Sequence, residues 1–166
     1  MSLSTAQTLT IAELRAIGLF AALPNEVLDH LAATLELRSF AAGDIVFQEG
    51  DTARDMFAVV SGEMEVLKRS RLGRDARVAL LGPGDWFGEM SIVDVQPRSA
   101  SVRVLSPSRV VRMTAADFDA LYRRDIRAYA LIILNLAREL SRRLRVADGI
   151  LADLIANVVD GYLTQS

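Results

Sequence analysis

The sequence predicts a mainly β fold with flanking helices: a small antiparallel β-barrel or jelly roll, preceded by short helices and followed by one long helix. Three observations predict it. Apolar residues recur at helical spacing between residues 11 and 37, short β-rich runs separated by glycines fill residues 40–113, and helical spacing returns after Thr114.

Ile11, Leu14 and Ile17 share one helical face, as do Val27, Leu28, Leu31 and Leu35, and Gly18 and Pro24 fall between the two sets. The spacing predicts two short helices, with Pro24 near the start of the second, where its missing N–H costs little. The β-rich runs are IVF at 45–47, MFAVV at 56–60, MEVLK at 64–68, RVALL at 77–81, ASVRV at 100–104 and RVVRM at 109–113. Runs this short, broken by glycine this often, favour strands folded back on one another over a βαβ sheet. Thr114 is the predicted N-cap of a helix with Ala115, Phe118, Leu121 and Tyr122 on one face.

A longer helix is predicted from about Asp125 towards Tyr162. Within it Ile133, Ala137, Leu140, Leu144, Ala147, Leu151, Leu154 and Val158 recur at alternating steps of four and three, which is a heptad seam. Ile133 to Leu140 equally suit packing back onto the barrel. Beyond Leu144 the seam needs a partner, and it predicts a homodimer of two parallel helices. Gly149 weakens this helix by ~1 kcal/mol relative to alanine and is a candidate bend. The expected organisation is therefore a β-roll with N-terminal helices over residues 1–124 and a dimerisation or lid helix over residues 125–163.

Composition bounds the function. Hydrophobic residues make up 51% of the 166 residues and charged residues 24%, enough for one well-buried core. A formal net charge of -2 supplies no bulk attraction for nucleic acid, so no nucleic-acid partner is expected. The absence of cysteine excludes disulfides and thiolate metal sites. MSLSTAQTLT lacks the pattern of a secretory signal, and no apolar stretch reaches the ~18 residues of a membrane span, so a soluble, cytoplasmic protein with no membrane partner is expected. The single histidine, His30, cannot assemble the multi-histidine site of a cupin-type metalloenzyme, nor activate Ser61, Ser91 or Ser99 as nucleophiles. No enzyme, metal or catalytic cofactor is expected.

The informative segment runs from Phe87 to Val102 and reads FGEMSIVDVQPRSASV. Gly88 lets a backbone approach a ligand closely, and the short apolar turn after it can present free N–H groups to an anion. Arg98 supplies a permanent positive charge with a planar fork of donors, suited to a phosphate, and Ser99 adds a hydroxyl beside it. Glu89 accepts hydrogen bonds only, which suits sugar hydroxyls and repels phosphate. One residue for sugar and one for phosphate suggest a nucleotide. The plainer alternative is that Glu89 and Arg98 pair with each other on the barrel rim.

This segment resembles the phosphate-binding cassette of the cyclic-nucleotide-binding domain family, found in bacterial catabolite activator proteins, protein kinase A regulatory subunits and cyclic-nucleotide-gated channels. The resemblance extends to Phe40-Ala-Ala-Gly43-Asp44, the Gly50-Asp51 turn, the Ser61-Gly62-Glu63 hairpin and Gly82-Pro83-Gly84-Asp85. It implies that Glu89 binds the ribose 2′-hydroxyl and Arg98 the cyclic phosphate, with Phe87, Gly88, Met90, Ser91, Ser99 and Ala100 completing the site. The implied ligand is cAMP or cGMP. Ala147 and Asp148 stand about where catabolite activator proteins carry hydroxyl residues that touch adenine, and that departure leaves both bases open, with cAMP favoured.

The mechanism expected is that phosphate binding orders Gly88 to Ser91, the base contacts the long helix, and the packing of that helix against the cassette changes. Two alternatives remain beside the sensor. One is a truncated transcriptional regulator, although only 18 residues follow Asp148 and none after Arg145 is basic; the arginines at 138, 142, 143 and 145 read as a solvated helix face. The other is a ligand-free dimerisation scaffold.

Overall fold

The computed structural model describes residues 8–163. They form two compact units, one ending at Ile132 and one beginning at Ile133, so that the dividing point lies inside the last helix.

The first unit opens with α1 (Ile11–Ala16) and α2 (Asn25–Thr34). Thr10 and Glu13 close a capping box on α1: the Thr10 hydroxyl accepts from the Glu13 N–H, and the Glu13 carboxylate accepts from the Thr10 N–H. Pro24 is the N-cap of α2, and Val27, Leu28 and Leu31 bury its inner face. The helical spacing ends at Leu35. Glu36–Phe40 instead forms a strand, β1, because cross-strand pairing there decides the backbone over local periodicity.

Seven further strands come after it: β2 (Ile45–Phe47), β3 (Asp55–Ser61), β4 (Met64–Arg69), β5 (Asp75–Leu81), β6 (Trp86–Phe87), β7 (Ser101–Val104) and β8 (Ser108–Thr114). One helical turn, α3 (Met90–Val93), separates β6 from β7. The strands make two antiparallel four-stranded sheets, ordered β1-β8-β3-β6 and β2-β7-β4-β5. This is a jelly-roll-like sandwich with sheet edges, where the sequence left a barrel equally open.

Both sheets contribute to one apolar core. Phe57 and Val59 of β3, Phe87 of β6 and Val110 of β8 meet Met64 of β4, Leu81 of β5, and Val102 and Val104 of β7. The alternation that sends these inward sends Glu65 to the other face of β4. There Arg77 of β5 and Arg103 of β7 lie over it, their Nε atoms donating to its two oxygens at 2.6 and 2.7 Å. The carboxylate is only 1% exposed, yet its cover is two charged side chains and not apolar core, and their hydrogen bonds, Arg103 foremost, hold it below the usual glutamate range.

Thr114 ends β8 and caps α4 (Ala115–Arg124) through a second capping box with Asp117. The Asp125 carboxylate accepts from the Arg127 and Ala128 N–H groups at 3.0 Å, which starts α5 (Ile126–Leu163). The second unit, taken by itself, is this helix from Ile133 onward. Its Leu144, Leu151, Leu154 and Val158 are each more than half exposed. No described helix is long and apolar enough to cross a membrane.

Candidate functional site

β6 delivers the chain into the site. Phe87 is buried and stacks on Phe57 with ring centroids 5.4 Å apart, so its side chain belongs to the core and anchors the start of the cassette. Gly88 then takes φ +82°, and a Cβ there would stand 2.6 Å from Arg98 Nη1 and 3.3 Å from the Asp55 carbonyl oxygen. Only glycine fits both the backbone and the space.

Glu89 precedes α3 in helical conformation and is 3% exposed; its side chain does not cap the turn. Ser91 is buried, Met90 is 46% exposed, and Ala100 is half-buried. Ser99 is exposed, and its hydroxyl donates to the Met90 sulfur at 3.5 Å. Among the described residues, no group of three or more His, Asp or Glu side chains could hold a metal ion.

Arg98 is the centre of this arrangement, and it is 4% exposed. Its main chain is gripped by the turn before β3: its N–H donates to the Asp51 carbonyl, and its carbonyl accepts from the Gly50 N–H, both at 2.9 Å. Its guanidinium lies 4.0 Å above the Phe47 ring, over an aromatic cluster completed by Phe57 and Phe87. Nη1 donates to the Asp55 carbonyl at 2.6 Å, the Gly88 carbonyl at 3.1 Å and the Ser91 hydroxyl at 3.4 Å. Nη2 donates to Asp55 Oδ1. The buried Nε–H has no hydrogen-bond partner among the described residues. Burial pushes the guanidinium below the ordinary arginine range against the pull of Asp55, and the group remains a cation.

The ion pair the structure forms is thus Arg98 with Asp55, a residue the sequence reading did not single out. Asp55 opens β3, and its other oxygen accepts from Arg112 Nε of β8 at 2.6 Å. Arg112 continues to Glu36 of β1, at 3.0 Å, and the Asp55 hydrogen bond raises its pKa. The one sequence signal for Asp55 is an acidic residue at the head of the apolar run MFAVV, where a strand enters the core. Nothing local links it to Arg98, 43 residues away; the β3–β8 and β3–β6 pairings do.

The cassette's far end is tied as well. Lys68 of β4 donates to the Ser99 carbonyl and, at 2.7 Å, to Glu49, whose other oxygen accepts from the Arg69 N–H. Chemically, the segment holds a buried cation that shares its donors with one carboxylate and retains an unpartnered N–H on the edge it shares with Nη2. An anion with two adjacent oxygens matches that edge.

Known proteins resemble this chain over most of its length. The family described as "Cyclic nucleotide-binding domain" matches residues 37–125. The cyclic AMP receptor protein of Thermus thermophilus is 35% identical over 130 residues, which is 78% of this chain and 58% of that protein. A CRP-like cAMP-activated global transcriptional regulator of Mycobacterium tuberculosis is 35% identical over 148 residues, covering 89% of this chain and 64% of that one. The solved Thermus thermophilus catabolite activator protein superposes with a TM-score of 0.73 at 35% identity, over 84% of this chain and 63% of that chain. The chain thus spans about three-fifths of the length of these two relatives.

Proposed function

The chain belongs to the cyclic nucleotide-binding domain family, and on that premise we propose that it is a cyclic nucleotide sensor taking cAMP, in preference to cGMP, in the cassette from Phe87 to Val102. The carrying observation is Arg98: a buried cation inside the cassette with an unpartnered Nε–H.

In this reading the cyclic phosphate accepts from the Nε and Nη2 edge of Arg98, and Asp55 yields part of its hold on Nη2. Low dielectric around the guanidinium strengthens the contact. The Glu89 carboxylate accepts from the ribose 2′-hydroxyl. Gly88, Met90, Ser91, Ser99 and Ala100 line the sugar and phosphate, while Phe87 fixes the strand from which they hang. The protein acts by binding and not by catalysis, and works in the cytoplasm, a reading supported by its lack of cysteine.

The nucleotide signals because it favours one state of the protein over another, by its difference in affinity for the two. The output is the C-terminal helix and the parallel homodimer it forms along the seam from Leu144 to Val158. A second reading, that the chain is the sensor portion of a DNA-binding regulator, is favoured by the 35% identity to the CRP-like regulator. A salt-dependent shift of duplex DNA would support it.

Calorimetric titration with cAMP and with cGMP tests the proposal, alongside Arg98→Ala. We expect saturable binding of cAMP, tighter than cGMP, and a loss of about 30-fold or more on truncating Arg98, as for a buried charge-paired contact. No heat with either nucleotide would overturn it in favour of a scaffold.

A further inference from the structure

We infer that Arg143 and Asp148 of α5 set the orientation and register of this chain against a second copy of itself, through reciprocal Arg143–Asp148 ion pairs in a parallel, in-register coiled coil. The inference rests on the homodimer proposed above and specifies its geometry.

From Leu140 onward the seam residues alternate in heptad fashion: Leu144, Leu151 and Val158 occupy a positions, and Leu140, Ala147 and Leu154 occupy d positions. All six lie on the described helix. Leu144, Leu151, Leu154 and Val158 are 54–62% exposed, so this apolar stripe is uncovered along most of its length. The positions that border such a stripe are e and g. Here they are Ser141, Asp148 and Ile155 at e, and Arg143, Ile150 and Asn157 at g.

In a parallel, in-register pair each g residue faces the e residue five positions later on the partner. Arg143 then faces Asp148, opposite charges meeting, and Ile150 faces Ile155, two exposed apolar side chains covering one another. Symmetry repeats both contacts on the other side of the seam.

No other two-stranded arrangement of this stripe does so. Antiparallel helices set g against g and e against e. Arg143 would then meet Leu136, itself, Ile150 or Asn157, none of them acidic, and Asp148 would meet Leu134, Ser141, itself or Ile155, none of them basic. A parallel pair slipped by one heptad puts Arg143 opposite Ser141 or Ile155. Charge complementarity and apolar continuity thus select one occupant and one register. Within its own helix Arg143 Nε donates to Glu139 at 2.9 Å, which steadies the side chain at the border of the stripe.

The 166-residue sequence carries no cysteine, so Leu151→Cys introduces a single thiol at an a position. In the inferred geometry it meets its own counterpart, and mild oxidation links the chains covalently. Sedimentation of Arg143→Glu and of Asp148→Arg should each show dimerisation weakened by about tenfold, as two symmetric contacts turn repulsive. The double reversal should restore it. A wild-type chain that sediments as a monomer overturns this inference together with the homodimer. A wild-type dimer in which Leu151→Cys fails to cross-link, or in which the double reversal fails to rescue, overturns the pairing and leaves the homodimer standing.

Discussion

Asp55 carries two arginines on one carboxylate, Arg98 on one oxygen and Arg112 on the other, in a pocket where it is 7% exposed. Removing it strands a buried guanidinium, so Asp55→Ala should cost about 3–5 kcal/mol in a denaturant titration. Glu65 is a second test at this scale. Its pKa is lowered in the folded chain by Arg103 and Arg77, so its contribution to stability is present above the ordinary glutamate value of 4.5 and is lost as pH falls through the lowered folded value. Unfolding free energy measured across that acid window should fall less steeply in Glu65→Gln than in the wild type. Glu89 and Arg98 could be singled out in the sequence as candidates because they stand in one local segment. Asp55 could not, because its partners lie 43 and 57 positions further along and meet it only through sheet pairing.

At the scale of elements, legibility followed length and period. The heptad steps of α5 and the capping threonine of α4 could be read directly, since both signals sit within a few residues of the structure they specify. β1 and β6 could not. ELRSF carries polar side chains at three of its five positions and is extended because β8 lies alongside it, while Trp86–Phe87 is two residues long. The Glu89–Arg98 pair weighed as an alternative gave way to Arg98–Asp55 for the same reason, a non-local strand contact. Gly149 stands inside α5 without a kinking residue beside it, and a Cβ added there meets nothing within 4 Å. Gly149→Ala should therefore stabilise the helix by about 1 kcal/mol, seen as a higher thermal midpoint by circular dichroism.

For the molecule as a whole, a ligand that binds only the folded chain must raise its stability by mass action. At a hundred times the dissociation constant the gain is about 2.7 kcal/mol, so the thermal midpoint should climb with added cAMP and should climb much less in Arg98→Ala at the same concentration. The fold serves this by holding one cation from many directions: the Gly50–Asp51 turn grips its main chain, Phe47 lies beneath its plane, and Asp55 and Gly88 take its Nη1 donors. The Nε–H is left over, and the central claim is that the cyclic phosphate completes it. The most direct test is a proton–nitrogen correlation spectrum of the arginine Nε–H groups, with the Arg98 signal assigned from Arg98→Lys, recorded as cAMP is added to saturation. The Arg98 Nε–H resonance should move downfield as it gains a charged acceptor. A resonance that stays in place while the nucleotide is bound would contradict the claim.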